Sequence, residues 1–479
     1  MHEQDWDAVL DAVERPIRDY LASLLGRHVG RDVTPAEVRA AVGSELSDAG
    51  QDPAAVVADL AGRIEPYVSA HASGRFFGFV VGGLHPAALG AELLVSTWDQ
   101  NAGLFALAPG VVMAEELAAA WLVELTGLPP RSSVAFVTGG QMATFTCLAA
   151  ARDHVLRESG WDVEADGLQG APTVTVVLKD GVHSTVPRAL RFLGLGEQTG
   201  VRVACDAEDR IDLDGLRKAM AGVQGPTIVC VEAGNVNTGA FDDFEVVADI
   251  AAAHRELGNP TWVHVDGAVG LLAAASSGFD HLTAGLGRLD SWSTDGHKLL
   301  NVAYDCGIAI CRDSASHRAA TSVHASYLRQ DEDDVRQPLD WNPEFSRRAR
   351  GVGAHATLRS LGRSGVAELS ERAHAHARRF ADALAASGRA EIVNDVVFNQ
   401  VLVHWLAPDG VDADAFNDAV TDATVADGRT YFSGTTWRGD RLMRISVSDW
   451  ATDEGDVDLA VEVLLELADR VGEELSPVS

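Results

Sequence analysis

The chain carries two apolar rhythms in succession. Near the N-terminus the spacing is helical: Trp6, Val9, Leu10, Val13, Ile17, Leu21 and Leu24 share one face of residues 5 to 26, with Pro16 marking a kink. A second short helix is predicted over Pro53 to Tyr67, and such a segment cannot bury its apolar stripe alone. Two longer helical patterns cover 86–107 and 110–127, broken at Ala108-Pro109-Gly110. From residue 133 the rhythm changes. Short apolar runs at 133–138, 173–178, 200–204, 226–232, 261–265 and 306–311 read as strands, and Ser291 to Ser293 as a further strand-like run. Helical stretches at 141–156, 185–193, 212–222 and 243–256 separate them. This alternation predicts an α/β domain on a largely parallel sheet covered on both faces.

The pattern changes again toward the C-terminus. Helical spacing runs from Ser346 to Leu384, interrupted by a turn at Gly362 to Gly365. A strand at 399–405, a helix at 413–425, a strand at 442–447 and a final helix from Thr452 to Val471 follow, the last opening on a capping Thr and acidic residues. The expected division is an N-terminal helical arm over 1–67, a large domain over 68–355 and a small α+β domain over 356–479. Ser326 to Ser346, which includes Arg329-Gln-Asp-Glu-Asp-Asp, reads as a long polar loop.

Charge narrows the partners. Seventy acidic residues against 38 basic ones give a net charge of −32, which argues against nucleic acid or an anionic membrane. The five cysteines form no CxxC pair and no cluster with zinc spacing, so reduced thiols and no metal are expected. Met1-His-Glu-Gln-Asp-Trp-Asp is not the start of a signal peptide, and no apolar run reaches the roughly 18 residues of a membrane helix. A cytoplasmic location is the expectation.

Candidate chemistry collects at strand ends. Thr138-Gly139-Gly140-Gln141 joins a strand to a helix, where glycines let an anion approach free N–H groups. His183 follows the strand 173–178, and Asp266 closes the strand Trp262-Val-His-Val-Asp. Lys298 stands in Asp295-Gly-His-Lys, near a strand end where its amine can be desolvated. Carboxyl ends of parallel strands are where α/β folds bind ligands. A carboxylate paired with a lysine is what pyridoxal phosphate requires, one for its ring nitrogen and one for its aldehyde.

These motifs in this order resemble the group II pyridoxal-phosphate decarboxylases, which act on aromatic amino acids, tyrosine, histidine, glutamate and cysteine sulfinate. The similarity covers roughly 60 to 470 and includes Arg75-Phe-Phe, Leu125-Thr-Gly-Leu-Pro, Phe241-Asp, Tyr304-Asp-Cys-Gly and Ser346-Arg-Arg-Ala-Arg. The resemblance implies fold type I, the aspartate-aminotransferase-like fold, and a homodimer with shared active sites. It implies that Lys298 carries the cofactor, that His183 stacks on the pyridine ring and that Asp266 pairs with the ring nitrogen. Gly140, Gln141 and His297 match phosphate-binding positions, and Asn235 matches a position near the cofactor hydroxyl. Arg444 matches an arginine that binds a distal carboxylate in glutamate decarboxylases.

Three departures stand out. Counted back from Arg347, Pro338 occupies the position of a loop tyrosine that helps protonate the substrate carbon in relatives, and Trp341 keeps the count in register. Without that hydroxyl another donor such as His183 is needed, or the product becomes an aldehyde by oxidative deamination. Gly267 follows Asp266 where relatives have alanine, and Gln141-Met142 replaces a hydroxyl-bearing pair. The glycine-framed segment Gly74 to Gly83 supplies Phe77 and Phe79, which with Trp98 suggest an apolar substrate pocket and an aromatic or hydrophobic amino acid.

Overall fold

Helices α1 (Glu3–Ser23), α2 (Pro35–Val42) and α3 (Pro53–Ile64) open the chain in this computed structural model, which describes residues 3–43, 46, 48–322 and 336–476. α1 packs on α3 and continues through Pro16. α2 escapes the apolar pattern because it buries nothing; a Thr34/Glu37 capping box and Pro35 in its first turn define it instead. α4 (Pro86–Trp98) stops short of the expected 107. Asp99 takes a left-handed φ of 50° there and ends the helix, although apolar residues continue to Leu107. α5 (Pro109–Leu125) begins with proline in its first turn.

The expected strands then form one seven-stranded sheet: β1 (Ser133–Val137), β2 (Thr175–Lys179), β3 (Val201–Val203), β4 (Thr227–Glu232), β5 (Thr261–Asp266), β6 (Ser291–Asp295) and β7 (Gly307–Cys311). Its order is β1-β7-β6-β5-β4-β2-β3, and β7 runs antiparallel to both neighbours while β6, β5, β4, β2 and β3 pair in parallel. Connecting helices are α6 (Gly140–Arg157), α7 (Val163–Asp166), α8 (Thr185–Phe192), α9 (Leu213–Ala221), α10 (Phe244–Glu256) and α11 (Asp280–Thr283). Val176, Leu178, Ile228 and Trp262 face α6 and α8, whereas Val177, Val229, Val263 and Trp292 belong to the core on the opposite face. Burial on both faces explains why the strands read as continuous apolar runs. Each fully buried aliphatic or aromatic side chain there contributes about 2 kcal/mol.

After β7 come α12 (Ser314–Thr321) and α13 (Arg350–Ala386). α13 is two helices, because Gly362 leaves helical geometry at φ 64° and ψ −176°, where the sequence predicts a turn. A four-stranded antiparallel sheet follows, in the order β10-β11-β9-β8. It comprises β8 (Ala390–Ile392), β9 (Gln400–Trp405), β10 (Ser433–Trp437) and β11 (Asp440–Ser446), with α14 (Ala413–Asp427) between β9 and β10 and α15 (Glu454–Leu475) at the end. α15 is capped by Asp453 with Asp456, not by Thr452, whose hydroxyl donates to the Gly74 carbonyl at 2.7 Å. Segment 74–83 leans on this second sheet: Phe76 bridges to Tyr431.

The polar loop expected over 326–346 is docked structure in its described part. Residues to 335 lie outside the described ones, and from Arg336 the chain is docked. Pro338 to Asp340 form a buried 3₁₀ turn, the Leu339 N–H donates to the Gly103 carbonyl at 2.9 Å, and the Arg336 guanidinium lies 4.8 Å from the Trp341 ring centre. Arg347 then binds Glu115 of α5 through both guanidinium ends, at 2.7 and 3.0 Å, and the β1 carbonyl of Phe136 at 2.8 Å.

Candidate active site

The carboxyl edge of the parallel strands gathers the predicted residues around the start of α6. Gly139 leaves β1 with φ 130°, and β7 passes so close that a Cβ on Gly307 would stand 2.3 Å from the Gly139 carbonyl carbon. The Gly140 and Gln141 N–H groups that open α6 have no carbonyl one turn before them, and the helix dipole adds to their attraction for an anion.

One side of this helix start meets the lysine turn. β6 ends at Asp295, and a Cβ on Gly140 would lie 2.6 Å from its Oδ2, so only glycine allows that approach. Lys298 Nζ lies 3.0 Å from the same Oδ2. His297 Nδ1 accepts the Cys306 N–H at 3.1 Å, which leaves the proton on Nε2, facing Asp295 Oδ1 at 3.4 Å. Burial holds the His297 imidazole below its usual range, so it is neutral at pH 7. Its ring stacks on Tyr304 at 4.2 Å, and burial, helped by Asp295, pushes that phenol up to about 12.

The other side meets His183 and Asp266. Gln141 Nε2 donates to the Thr185 carbonyl at 3.1 Å. The Thr185 hydroxyl lies 2.8 Å from His183 Nδ1 and 3.4 Å from Asp266 Oδ2, to which it donates. Asp266 Oδ1 accepts the Ala268 N–H at 3.1 Å. Thr185, the first residue of α8, therefore links the histidine to the carboxylate. Asn235 sits in the turn after β4, where its Oδ1 accepts the Asn237 and Thr238 N–H groups and its Nδ2 donates to Glu232.

The residues expected to line a substrate pocket divide. Phe77 is fully buried and packed between Phe380 and Phe432, at 4.9 and 5.4 Å; it is a core residue, which corrects its assignment to substrate. Phe79 is half exposed with a left-handed φ of 56°. Its carbonyl accepts Arg444 Nη2 at 2.9 Å and the Ser446 hydroxyl at 2.8 Å. Arg444 is buried and also donates to Asn237 Oδ1 at 3.3 Å; burial lowers its guanidinium to about 10, still a cation at neutral pH. Trp98, half exposed at the end of α4, is not drawn into these contacts.

This set fits pyridoxal phosphate: a glycine-lined helix start for the phosphate, a lysine for the aldehyde, and a buried carboxylate with a neighbouring imidazole for the ring. Fold and site together define a pyridoxal-phosphate enzyme of fold type I. The chain belongs to the pyridoxal-dependent decarboxylase family, whose conserved domain matches residues 35–406. It is 29% identical to tryptophan decarboxylase 1 of Oryza sativa subsp. japonica, over 85% of this chain and 82% of that one. It is 26% identical to phenylacetaldehyde synthase of Petunia hybrida, over 85% and 83%. The Oryza sativa TDC structure with PLP and tryptamine superposes with a TM-score of 0.89 at 25% identity, covering 99% of each chain. The chain is thus a carboxy-lyase that uses pyridoxal phosphate to decarboxylate an amino acid.

Proposed function

We propose that this enzyme converts an aromatic L-amino acid to its amine and CO₂, as a cytoplasmic homodimer. The carrying observation is the meeting at the α6 start of two contact chains, Lys298–Asp295 by way of Gly140 and His183–Thr185–Asp266 by way of Gln141. Bound pyridoxal phosphate supplies the electron sink for loss of CO₂. Lys298 would attach it, Asp266 would keep a proton on the ring nitrogen and His183 would lie beside the ring. Gly140, Gln141 and His297 would hold the phosphate, and Asn235 shapes the turn after β4. Phe79 and Trp98 present exposed aromatic surface for an apolar substrate, and the tryptophan decarboxylase relative supports that class. Arg444, tied to the Phe79 carbonyl, holds that segment in place more readily than it reaches a substrate carboxylate. The arm, large domain and small domain divide at about residues 67 and 355.

The aldehyde-forming reading has two observations in its favour: Pro338, buried in its turn, has no hydroxyl to give, and the relatives include aldehyde synthases as well as decarboxylases. A panel of amino acids separates the two, with amine, aldehyde, peroxide and ammonia all measured. Amine without oxygen uptake is expected from an aromatic substrate; aldehyde with peroxide and ammonia would replace the first reading by the second. Borohydride reduction should fix the cofactor on Lys298, and Lys298→Ala should abolish the adduct. An adduct on another lysine would overturn the assignment.

A further inference from the structure

We propose that Glu232 is a positioning residue for this reaction: its carboxylate, clamped by the buried ammonium of Lys179, fixes the backbone of His183 beside the cofactor site. This rests on the decarboxylase reading above.

Glu232 is the last residue of β4, level with Asp266 on the neighbouring strand. Its Oε1 accepts the His183 N–H at 3.0 Å. Its Oε2 receives Lys179 Nζ at 2.6 Å and Asn235 Nδ2 at 2.9 Å. Lys179, the last residue of β2, is 1% exposed and also donates to the Asp209 carbonyl at 2.6 Å. Beneath the pair, Asp242 accepts the Glu232 N–H at 2.7 Å and the Ile211 N–H at 2.7 Å. One carboxylate thus gathers the loop after β2, the turn after β4 and, through Lys179, the Asp209 turn.

Burial alone would raise the Glu232 carboxyl, yet Lys179, Asn235 and the His183 amide hold it below the glutamate range. Burial would lower the Lys179 ammonium, yet Glu232 and Asp242 hold it raised. Both partners stay charged. A buried ion pair adds little stability over apolar residues of the same volume, so stability alone does not account for it. Its geometry suggests what it does. His183 lies four residues past β2, in a loop exposed at Asp180, Gly181 and Ser184, beyond the reach of the sheet ladder. Glu232 anchors its backbone from the buried side and Thr185 anchors its ring, which leaves the imidazole one orientation. With the backbone anchor lost, the ring moves by fractions of an ångström to an ångström, and misplacement of that size costs on the order of 10²-fold in rate.

Two paired variants test this without leaving an unpaired charge on either partner. Lys179→Met with Glu232→Gln keeps an oxygen that can accept the His183 N–H; Lys179→Met with Glu232→Leu removes it. Hydrogen exchange over 180–186 and steady-state kinetics are read on both. The glutamine pair is expected to keep His183 protected and kcat within about threefold of the parent. The leucine pair is expected to lose that protection, with kcat down on the order of 10- to 100-fold and KM little changed. Equal protection or equal kcat in the two pairs would overturn the proposal. Glu232→Ala replaces Glu232→Leu if the leucine pair does not fold. Exchange reads the clamp whether or not any amine is formed, so failure of the clamp and failure of the decarboxylase reading give different results.

Discussion

Among single residues, Asp449 makes the stability of the protein depend on pH. It is buried just past β11, its Oδ1 accepts the Ala451 N–H at 2.7 Å, and a Cβ on Gly83 would run into its carboxylate. Burial, with Asp456 nearby, pushes its carboxyl up to about 7. The folded protein therefore binds this proton more tightly than the unfolded chain. Its contribution to stability is most favourable below the unfolded pKa near 4, declines as pH rises to about 7, and is flat above that. Asp449→Asn should raise the thermal midpoint at pH 8 more than at pH 5, by at most about 3 kcal/mol in the corresponding free energies, since the carboxyl of the folded protein titrates over the roughly two pH units between 5 and 7. Equal shifts at both pH values would count against it. Lys298, Asp266 and His183 stand out in the sequence because each lies at or a few residues past a strand end: Asp266 closes β5, His183 follows β2 and Lys298 follows β6. Glu232 and Lys179 offered the same signal, charged residues closing strands otherwise apolar, yet their pairing needed the β2–β4 neighbourhood, which no spacing reveals. Phe77 misled for the opposite reason: an aromatic among glycines reads as a pocket wall until Phe380 and Phe432, far along the chain, close around it.

Between elements, the tightest fit is that of segment 74–83 against the lysine turn. A Cβ on Gly82 would stand 2.0 Å from the Lys298 carbonyl oxygen and 2.7 Å from that of His297. Backbone on backbone cannot yield as a flexible side chain can. Gly82→Ala should force the segment away from the turn, lower stability by about 1–3 kcal/mol and weaken cofactor retention. Denaturant unfolding and the absorbance of bound cofactor check this; unchanged values in both would show that the segment shifts freely. Most elements were legible because the sheet is buried on both faces and its helices carry regular apolar spacing. The failures are local. α4 ends on a left-handed aspartate inside an apolar stretch, and β8 and β10 are short edge strands, β10 rich in threonine and glycine and without an apolar run to announce it.

At the level of the whole molecule, several helices leave apolar surface uncovered, α1, α4 and α5 among them. α1 exposes Trp6 and Leu10, at 58% and 61%, and α4 and α5 expose Leu93, Leu94 and Leu117 at 45%, 49% and 49%. Surface of this kind supports the homodimer proposed above. Removing residues 1–50 should therefore cause aggregation, followed by light scattering and sedimentation; a soluble, fully active monomer would rule out the arm's part in assembly. The helix start proposed above as the phosphate site has a further consequence, set by its surroundings. It is a small attractive spot on a body of net charge −32, and the phosphate it binds is itself an anion. Diffusing toward it in dilute salt, such a molecule is repelled at long range and drawn in only across the final few ångströms. Dissolved ions weaken the distant repulsion, which acts beyond the screening length of about 8–10 Å, far more than the close attraction. Loading of this enzyme is thus expected to quicken as salt is added, the reverse of the usual meeting between an anion and its receptor.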